Sequence, residues 1–203
     1  MLRTRPGEEA SVTHGRLILI RHGETEWSRT GRHTGRTDIP LTSAGEERAS
    51  TLAARMGSFA PAVVLCSPLE RARRTAELAG LTPDAIDPDL LEWDYGQWEG
   101  VTTPEIREQL NDPTWTIWSR PIPGGEQAED VAIRCARAIR RVLPAVGDGA
   151  DAVLVAHGHY LRILTATWLG LPAIDGRLWV LDAGALSILG YERDQRAIVA
   201  WNT

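Results

Sequence analysis

Short apolar runs alternate with polar and helix-forming segments along this chain of 203 residues. Continuous short apolar runs are typical of buried β-strands. They predict strands at 16–20, 62–66, 151–156, 185–191 and 197–201, with shorter ones at 85–87 and 178–181. Capping residues and helix-compatible composition predict helices at 43–58, 68–80, 126–146 and 160–169. Residues 21–41 are expected to form a loop and residues 88–125 an irregular segment.

Two helix starts depend on specific capping residues. Thr42 or Ser43 is expected to cap the first helix, because a hydroxyl there accepts from a free N–H of the first turn. Ser67 is expected to cap the second helix, with Pro68 at its first position and Gly80 at its end.

The alternation of strands and helices predicts the fold class. It favours an α/β fold, a three-layer α/β/α sandwich with a mostly parallel sheet and helices on both faces. The last strands have no helices between them, which predicts an antiparallel edge strand. Residues 1–14 show no periodicity and are expected to be a flexible N-terminal tail. Residues 15–203 are expected to form a single domain.

Composition narrows the environment and the partners. The chain is 43% hydrophobic and 24% charged, as is ordinary for a globular protein, and its net charge of −5 argues against a nucleic-acid partner. We expect no membrane partner, because no apolar run has the length of a membrane span. The run at 17–20 is too short for a signal peptide, so we expect a cytoplasmic protein.

The basic residues are all arginine, which limits the possible chemistry. P-loop and Schiff-base mechanisms need a lysine, and any charged side chain that binds an anion here is Arg or His. Cys66 and Cys135 lie in apolar surroundings and are expected to be buried thiols. No sequence-local metal motif is present, so we expect neither a metal site nor a cofactor.

Three groups of polar residues directly follow predicted strands. Arg21-His22, Ser67 to Arg71, and His157 all stand where a parallel sheet binds its ligands, at the carboxyl ends of strands. A neutral imidazole is a good nucleophile when a backbone carbonyl fixes its tautomer. Arginines stabilise the equatorial oxygens in phosphoryl transfer. These residue types favour a nucleophilic His22 flanked by Arg21 and Arg71, with His157 as a cationic donor. Taken alone, His22 suits a structural role equally well, and Arg71 also suits a solvated surface.

A leaving group also needs a proton donor. Glu92 lies in an aromatic-rich stretch, where burial favours a protonated carboxyl group suited to general acid catalysis. Asp94 is the alternative acid, and a surface role is the alternative for both residues. His159 is expected to support the site from outside it or to lie at the surface.

The ordered motifs resemble those of the histidine phosphatase superfamily, also called the phosphoglycerate mutase-like family. The resemblance covers about residues 16 to 191. It is carried by Arg21-His22-Gly23-Glu24-Thr25-Glu26-Trp27, Thr34-Gly35-Arg36-Thr37-Asp38, Leu41-Thr42, Ser67-Pro68-Leu69-Glu70-Arg71-Ala72, Thr75-Ala76, Leu91-Glu92, Tyr95-Gly96, Trp98-Glu99-Gly100, Gly124-Gly125-Glu126 and Val155-Ala156-His157-Gly158.

The resemblance implies specific roles. His22 would be the phosphohistidine nucleophile and Glu92 the proton donor. The residues that it implies at the phosphate or the substrate are Arg21, Gly23, Ser28, Thr34, Gly35, Arg71, Tyr95, His157 and Gly158. The expected partner is a small phosphorylated metabolite, and a homodimer is possible on the same ground.

Two departures from the family pattern favour a phosphatase over a mutase. Ser28 stands where mutases carry Asn, and the lysine with which mutases grip the substrate carboxylate is absent. Water should then intercept the phosphohistidine. A phosphoglycerate mutase is the first alternative, and a weakly active binding or regulatory module is the second.

A finer resemblance points to sugar phosphates as substrates. Segments such as Glu92-Trp93-Asp94-Tyr95-Gly96 and Leu181-Asp182-Ala183-Gly184 resemble the sedoheptulose-1,7-bisphosphatase branch. Tryptophans 93, 98, 115 and 118 would line an apolar wall or pack in the core. The candidates for a second phosphate or a sugar hydroxyl, each of which also suits a solvated surface, are Arg29, Arg32, Arg36, Arg120 and Arg162.

Overall fold

The computed structural model describes residues 14–203. Apart from His14, the predicted tail at 1–14 lies outside the described residues. Among residues 14–203, no helix combines the length and the apolar character that a membrane crossing requires.

A six-stranded sheet forms the centre of the molecule, with the spatial order β3-β2-β4-β1-β5-β6. Strands β1 to β4 pair in parallel, whereas β5 is antiparallel to β1 and β6 is antiparallel to β5. The predicted α/β fold with a mostly parallel sheet is confirmed, and its antiparallel edge consists of two strands. The strands are β1 Leu17–Arg21, β2 Pro61–Cys66, β3 Ala85–Ile86, β4 Asp151–Ala156, β5 Leu186–Glu192 and β6 Gln195–Ala200.

Helices cover both faces of this sheet. They are α1 Glu26–Arg29, α2 Ser43–Met56, α3 Glu70–Leu78, α4 Thr103–Leu110, α5 Ala128–Gly147 and α6 Gly158–Leu169. Short 3₁₀ helices add Pro88–Leu90, Gly96–Trp98 and Ala173–Leu178.

Apart from Arg21 at the end of β1 and Asp151 at the start of β4, the central strands are apolar because each of their faces is buried. Leu17 and Leu19 of β1 belong to one hydrophobic cluster, together with residues of α5 and α6. Ile18 and Ile20 point the other way and pack with residues of α2 and α3. Successive strand residues point to opposite faces of the sheet. In a strand between two helical layers both faces are buried, so the residues on both faces are apolar.

The predicted strand at 178–181 is wrong. Leu178 ends a 3₁₀ helix, and Val180 lies in irregular chain. Leu178 and Val180 are 66% and 68% exposed, whereas Leu181 is 3% exposed and packs in a hydrophobic cluster of the core. The apolar composition of this run matches a strand, but its residues join no strand of the described sheet.

Two segments that were predicted to lack helices contain one α-helix each, and the second also contains the 3₁₀ helices Pro88–Leu90 and Gly96–Trp98. The loop at 21–41 includes α1, and the irregular region at 88–125 includes α4. Both helices begin with a threonine capping box, at Thr25 and at Thr102. Such boxes satisfy the free N–H groups of a first turn reciprocally, which stabilises even a short helix.

The second helix begins later than predicted. α3 starts at Glu70, its N-cap is Leu69, and Ser67 makes no capping hydrogen bond to its first turn. The Ser67 hydroxyl is instead within 2.7 Å of the His157 ring. Thr42, by contrast, caps α2 as expected and accepts from the Gly45 N–H at 3.0 Å.

Candidate active site

Three adjacent strands deliver polar residues to one edge of the sheet. His22 follows β1, Ser67 follows β2 and His157 follows β4, and these strands are neighbours in the order β2-β4-β1. The main chain keeps them together beyond the strand ends, because the N–H of His22 donates to Ala156 at 3.0 Å and that of Ser67 to Val155 at 3.0 Å. The expected convergence at the carboxyl ends of parallel strands is therefore present.

His22 has the electronic state that a nucleophile needs. Its Nδ1 is 2.7 Å from the carbonyl oxygen of Gly23 and donates to it, which leaves the lone pair on Nε2. Burial lowers the pKa of His22 well below 6.5, and the charges of Arg71 and Arg21 lower it further. The imidazole is accordingly neutral and fixed in one tautomer.

Gly23 positions the nucleophile rather than binding an anion. Its N–H donates to Thr75 Oγ1 at 3.0 Å, and its carbonyl oxygen accepts from His22. A Cβ atom on Gly23 would stand 2.5 Å from the carbonyl oxygen of Gly45, which no real side chain tolerates. The His22 loop thus lies directly against the first turn of α2, and only a glycine fits there.

Arg71 lies fully buried behind His22. Its Nε donates to His157 Nδ1 at 3.2 Å, and its terminal nitrogens donate to main-chain carbonyls of the loop that precedes α2. Those carbonyls belong to Thr34, Gly35 and Thr37, at 3.2, 2.9 and 2.9 Å. Arg71 therefore connects the sheet edge to the loop that carries Thr34.

His157 is neutral in this arrangement. Since its Nδ1 accepts from Arg71, the proton is on Nε2, 2.7 Å from Ser67 Oγ. Burial and the charge of Arg71 lower the pKa of His157 well below 6.5. The expectation of a cationic His157 is therefore wrong. Its ring centroid is 5.1 Å from that of His22, so the predicted pair is assembled.

Arg21 has an unpaired donor at the site. Its guanidinium is buried and donates to the Leu181 carbonyl, whereas its Nε has no hydrogen-bond partner among the described residues. A Cβ on Gly158 would lie 3.1 Å from that Nε, so this glycine allows α6 to begin against the guanidinium. Burial lowers the pKa of Arg21, yet an arginine stays charged. A buried cation with a free donor favours an anionic ligand.

Glu92 is held by main-chain donors. Its Oε1 accepts from the N–H groups of Trp93 at 2.9 Å and Tyr160 at 2.8 Å, and its Oε2 from that of His159 at 3.1 Å. The last two belong to the first turn of α6. These three contacts fix the orientation of the Glu92 carboxyl group at the cavity wall.

A cavity of about 230 Å³ opens in front of His22. Arg71 and His157, both fully buried, support it from behind and do not line it. Its walls are Arg21, His22, Ser28, Gly31, Arg32, His33, Thr34, Glu92, Tyr95, Gly158, His159, Arg162 and Leu181.

Gly35 lies outside this cavity. Its N–H donates to the Glu99 carboxylate at 2.9 and 3.0 Å, and its carbonyl accepts from Arg71. We therefore place Gly35 among the supporting residues. Ser28 does line the cavity, although its hydroxyl is already paired with the main chain of Thr25.

The far end of the cavity is aromatic. The Tyr95 hydroxyl donates to His159 Nδ1 at 2.6 Å, since burial raises the pKa of Tyr95 well above 10 and lowers that of His159 well below 6.5. Arg162 stacks on Trp118 at 4.8 Å, and its Nε donates to the Gly176 carbonyl at 2.9 Å. His159 is therefore a wall of the cavity, closer to substrate than sequence reasoning placed it.

The other candidate arginines separate into two groups. Arg32 lines the cavity together with Arg162. Arg29, Arg36 and Arg120 instead pair with Glu26, Glu126 and Asp112, respectively. Within residues 14–203, no group of three His, Cys, Asp or Glu side chains is arranged to hold a metal ion.

Comparison with protein families settles the assignment. Residues 17–203 match the family model for the histidine phosphatase superfamily, branch 1. The chain belongs to the histidine phosphatase superfamily.

Curated members of the superfamily are similar along almost the whole chain. An acid phosphatase of Mycobacterium tuberculosis is 38% identical over 189 residues, covering 92% of each chain. The sedoheptulose 1,7-bisphosphatase of Saccharomyces cerevisiae is 36% identical, covering 87% of each chain. A probable phosphoglycerate mutase of Salmonella paratyphi C is 33% identical and covers 91% of this chain and 89% of its own. The chain is a phosphatase of this superfamily.

Several supporting residues of this histidine phosphatase were missed from sequence. The sequence predicts a helix cap at Ser67, although its hydroxyl contacts His157, and it indicates no role for Thr75, which accepts from the Gly23 N–H. Arg134 was not singled out at all. The signal for Arg134 was its place on the apolar face of α5, where a charged residue needs a buried partner.

Proposed function

We propose that this protein hydrolyses phosphomonoesters through a phosphohistidine on His22. The observation that carries the proposal is the neutral His22 ring, tied at Nδ1 to the Gly23 carbonyl and flanked by the guanidiniums of Arg21 and Arg71. Two guanidiniums supply positive charge for the transferring phosphoryl group, so the reaction is expected to proceed with a chelator present.

The two chemical steps use the same groups. In the first step His22 Nε2 bonds to phosphorus, the bond from phosphorus to the ester oxygen breaks, and Glu92 gives its proton to the leaving oxygen. In the second step water attacks phosphorus, its proton goes to Glu92, and the bond between phosphorus and nitrogen breaks. Glu92 and His22 line one cavity, as this exchange requires.

Trapping the intermediate tests this mechanism. A ³²P-labelled phosphomonoester, mixed with the protein and quenched in alkali within milliseconds, should leave label that is stable to base and labile to acid. The His22→Ala variant should retain no label, whereas Thr34→Ala, on another wall of the cavity, should still be labelled. Equal labelling of wild type and His22→Ala would refute the phosphohistidine.

Sugar phosphates and sugar bisphosphates are the proposed substrate class. The cavity beyond His22 offers aromatic walls and donors at Tyr95, His159 and Arg162, which suit a polyhydroxylated molecule. The similarity to the yeast sedoheptulose bisphosphatase supports this choice. A screen of phosphorylated metabolites with released phosphate as the readout tests it, and a clear preference for non-sugar phosphates would overturn it.

Phosphoglycerate mutase activity is the second candidate, because a probable mutase is 33% identical. The chain contains no lysine to grip a substrate carboxylate. We therefore expect phosphate release from 3-phosphoglycerate to exceed its isomerisation, both followed by ³¹P NMR. The cytoplasmic location, the possible homodimer and the small phosphorylated metabolite as partner stay predictions.

A further inference from the structure

We propose that Arg134 and Glu126 form a clamp that positions Glu92 for proton transfer, which makes both positioning residues of the reaction. The inference rests on the proposed function, since it assumes that Glu92 is the acid. Neither residue lines the cavity.

The Arg134 guanidinium is one of the two groups that form the clamp. It donates to the main-chain carbonyls of Asp89 at 2.7 Å, Leu91 at 2.9 Å and Glu92 at 3.4 Å. Asp89 lies in the 3₁₀ helix Pro88–Leu90, and Leu91 and Glu92 follow it in irregular chain, where no strand ladder fixes the main chain. A buried planar donor that binds three carbonyls replaces the missing ladder and fixes the main chain of Glu92.

The Glu126 carboxylate is the other group of the clamp. It binds Arg134 Nε at 2.7 Å and Nη2 at 2.9 Å, and it accepts from the N–H of Asp94 at 3.0 Å. The main chain of Glu126 also receives the Trp93 indole N–H at 2.8 Å. The clamp therefore binds the main chain on both sides of Glu92, at the Leu91 carbonyl and at the Asp94 N–H.

The clamp also contacts the helix that holds the Glu92 carboxylate. The Arg134 guanidinium lies 5.3 Å from the ring of Tyr160, and the N–H of Tyr160 donates to Glu92 Oε1. One side chain thus touches both the main chain of Glu92 and the residue that orients its carboxylate. A displacement of about 1 Å in such a group can cost about 100-fold in rate.

Leaving-group dependence distinguishes this role from a structural one. A poor alkoxide leaving group needs the proton of Glu92, whereas p-nitrophenolate leaves without it. In Arg134→Met we expect kcat/KM, which reports only the steps up to loss of the leaving group, to fall about 10- to 100-fold for an alkyl phosphomonoester and less than about threefold for p-nitrophenyl phosphate.

A matched control lies one helical turn away. Arg137, also on α5, binds the Asp89 side chain and makes no contact with the carbonyls of Leu91 or Glu92. Arg137→Met should lower the melting temperature and leave the ratio of the two kcat/KM values unchanged. If Arg134→Met does not fold, Arg134→Lys and Glu126→Gln, which keep the size of the side chain, carry the same expectation at smaller magnitude.

A double-mutant cycle separates the clamp from the proposed acid. Glu92→Gln alone must depress the alkyl substrate selectively; if it depresses both substrates equally, the proposed acid fails and the clamp falls with it. Given that selectivity, adding Arg134→Met to Glu92→Gln should cause no further loss of kcat/KM on the alkyl substrate. An additive loss, or an Arg134→Met variant with an unchanged ratio, would overturn the clamp while leaving Glu92 as the acid.

Discussion

The two ends of the cavity are built on different principles. The inner end is lined by Arg21 and His22 and supported from behind by the buried Arg71 and His157, and these side chains are held by the main chain or by one another. The outer end is lined by Tyr95, His159 and Arg162. Trp118, which does not line the cavity, packs edge-to-face against His159 and under the Arg162 guanidinium. We infer that the inner end fixes the reaction and that the outer end selects what the phosphate is attached to.

The largest effect on activity is expected from a substitution that disturbs a main-chain contact of the inner end. Gly23→Ala places a Cβ 2.5 Å from the Gly45 carbonyl oxygen, so the loop that carries His22 must move. We expect a loss of about 100-fold in kcat/KM on every substrate, and a destabilisation of about 1–3 kcal/mol. Kinetics with p-nitrophenyl phosphate and thermal melting measure the two effects.

Gly57→Ala is the control for that substitution. A Cβ there has its nearest neighbour at 3.5 Å, and the residue has helical backbone angles. It should change neither activity nor stability by a measurable amount. A Gly23→Ala variant as active as Gly57→Ala would mean that the His22 loop is not held as tightly as the contact distances indicate.

The same contrast explains what the sequence could and could not predict. β1 and β4 were predicted because burial on both faces leaves a continuous apolar run, and strand ends then located His22 and His157. The partners of Glu92 were not foreseen, since its carboxylate binds a helix turn 67 and 68 residues later in the chain. Part of the outer end comes from residues 88–125, whose sequence has no hydrophobic period from which the structure could be predicted.

A substitution at the outer end should discriminate between substrates. Arg162→Met removes the charge stacked on Trp118 while keeping a long apolar side chain. For a sugar bisphosphate we expect kcat/KM to fall about tenfold or more, as a lost charge-assisted hydrogen bond would cause. For p-nitrophenyl phosphate we expect less than about a twofold change. Arg120→Met, at a solvent-exposed arginine outside the cavity, is the control. Equal losses on both substrates would place Arg162 in the catalytic step instead.

The pH dependence of kcat/KM tests the protonation state of His22 at the inner end of the cavity. The reactive form of His22 is neutral, and burial together with Arg71 and Arg21 lowers its pKa well below 6.5. An ordinary imidazole would be only about one-tenth neutral at pH 5.5, whereas His22 should still be neutral there. The acid limb of kcat/KM, corrected for ionisation of the substrate, should therefore lie below pH 6.5. NMR titration of the ring nitrogens checks the assignment, and a His22 that titrates near 6.5 would contradict it.

The smallest effect is expected for an arginine of the segment 21–41 that lies at neither end of the cavity. Arg29 pairs with Glu26 three residues before it, and both side chains are 57% exposed. Exposed pairs of this kind contribute about 0.2–1 kcal/mol, because water already solvates both charges. Arg29→Ala should therefore lower stability by no more than that and leave kcat/KM within about twofold on sugar phosphates and p-nitrophenyl phosphate alike. A selective loss on sugar phosphates would extend the outer end to α1 and show that substrate recognition reaches beyond the cavity wall.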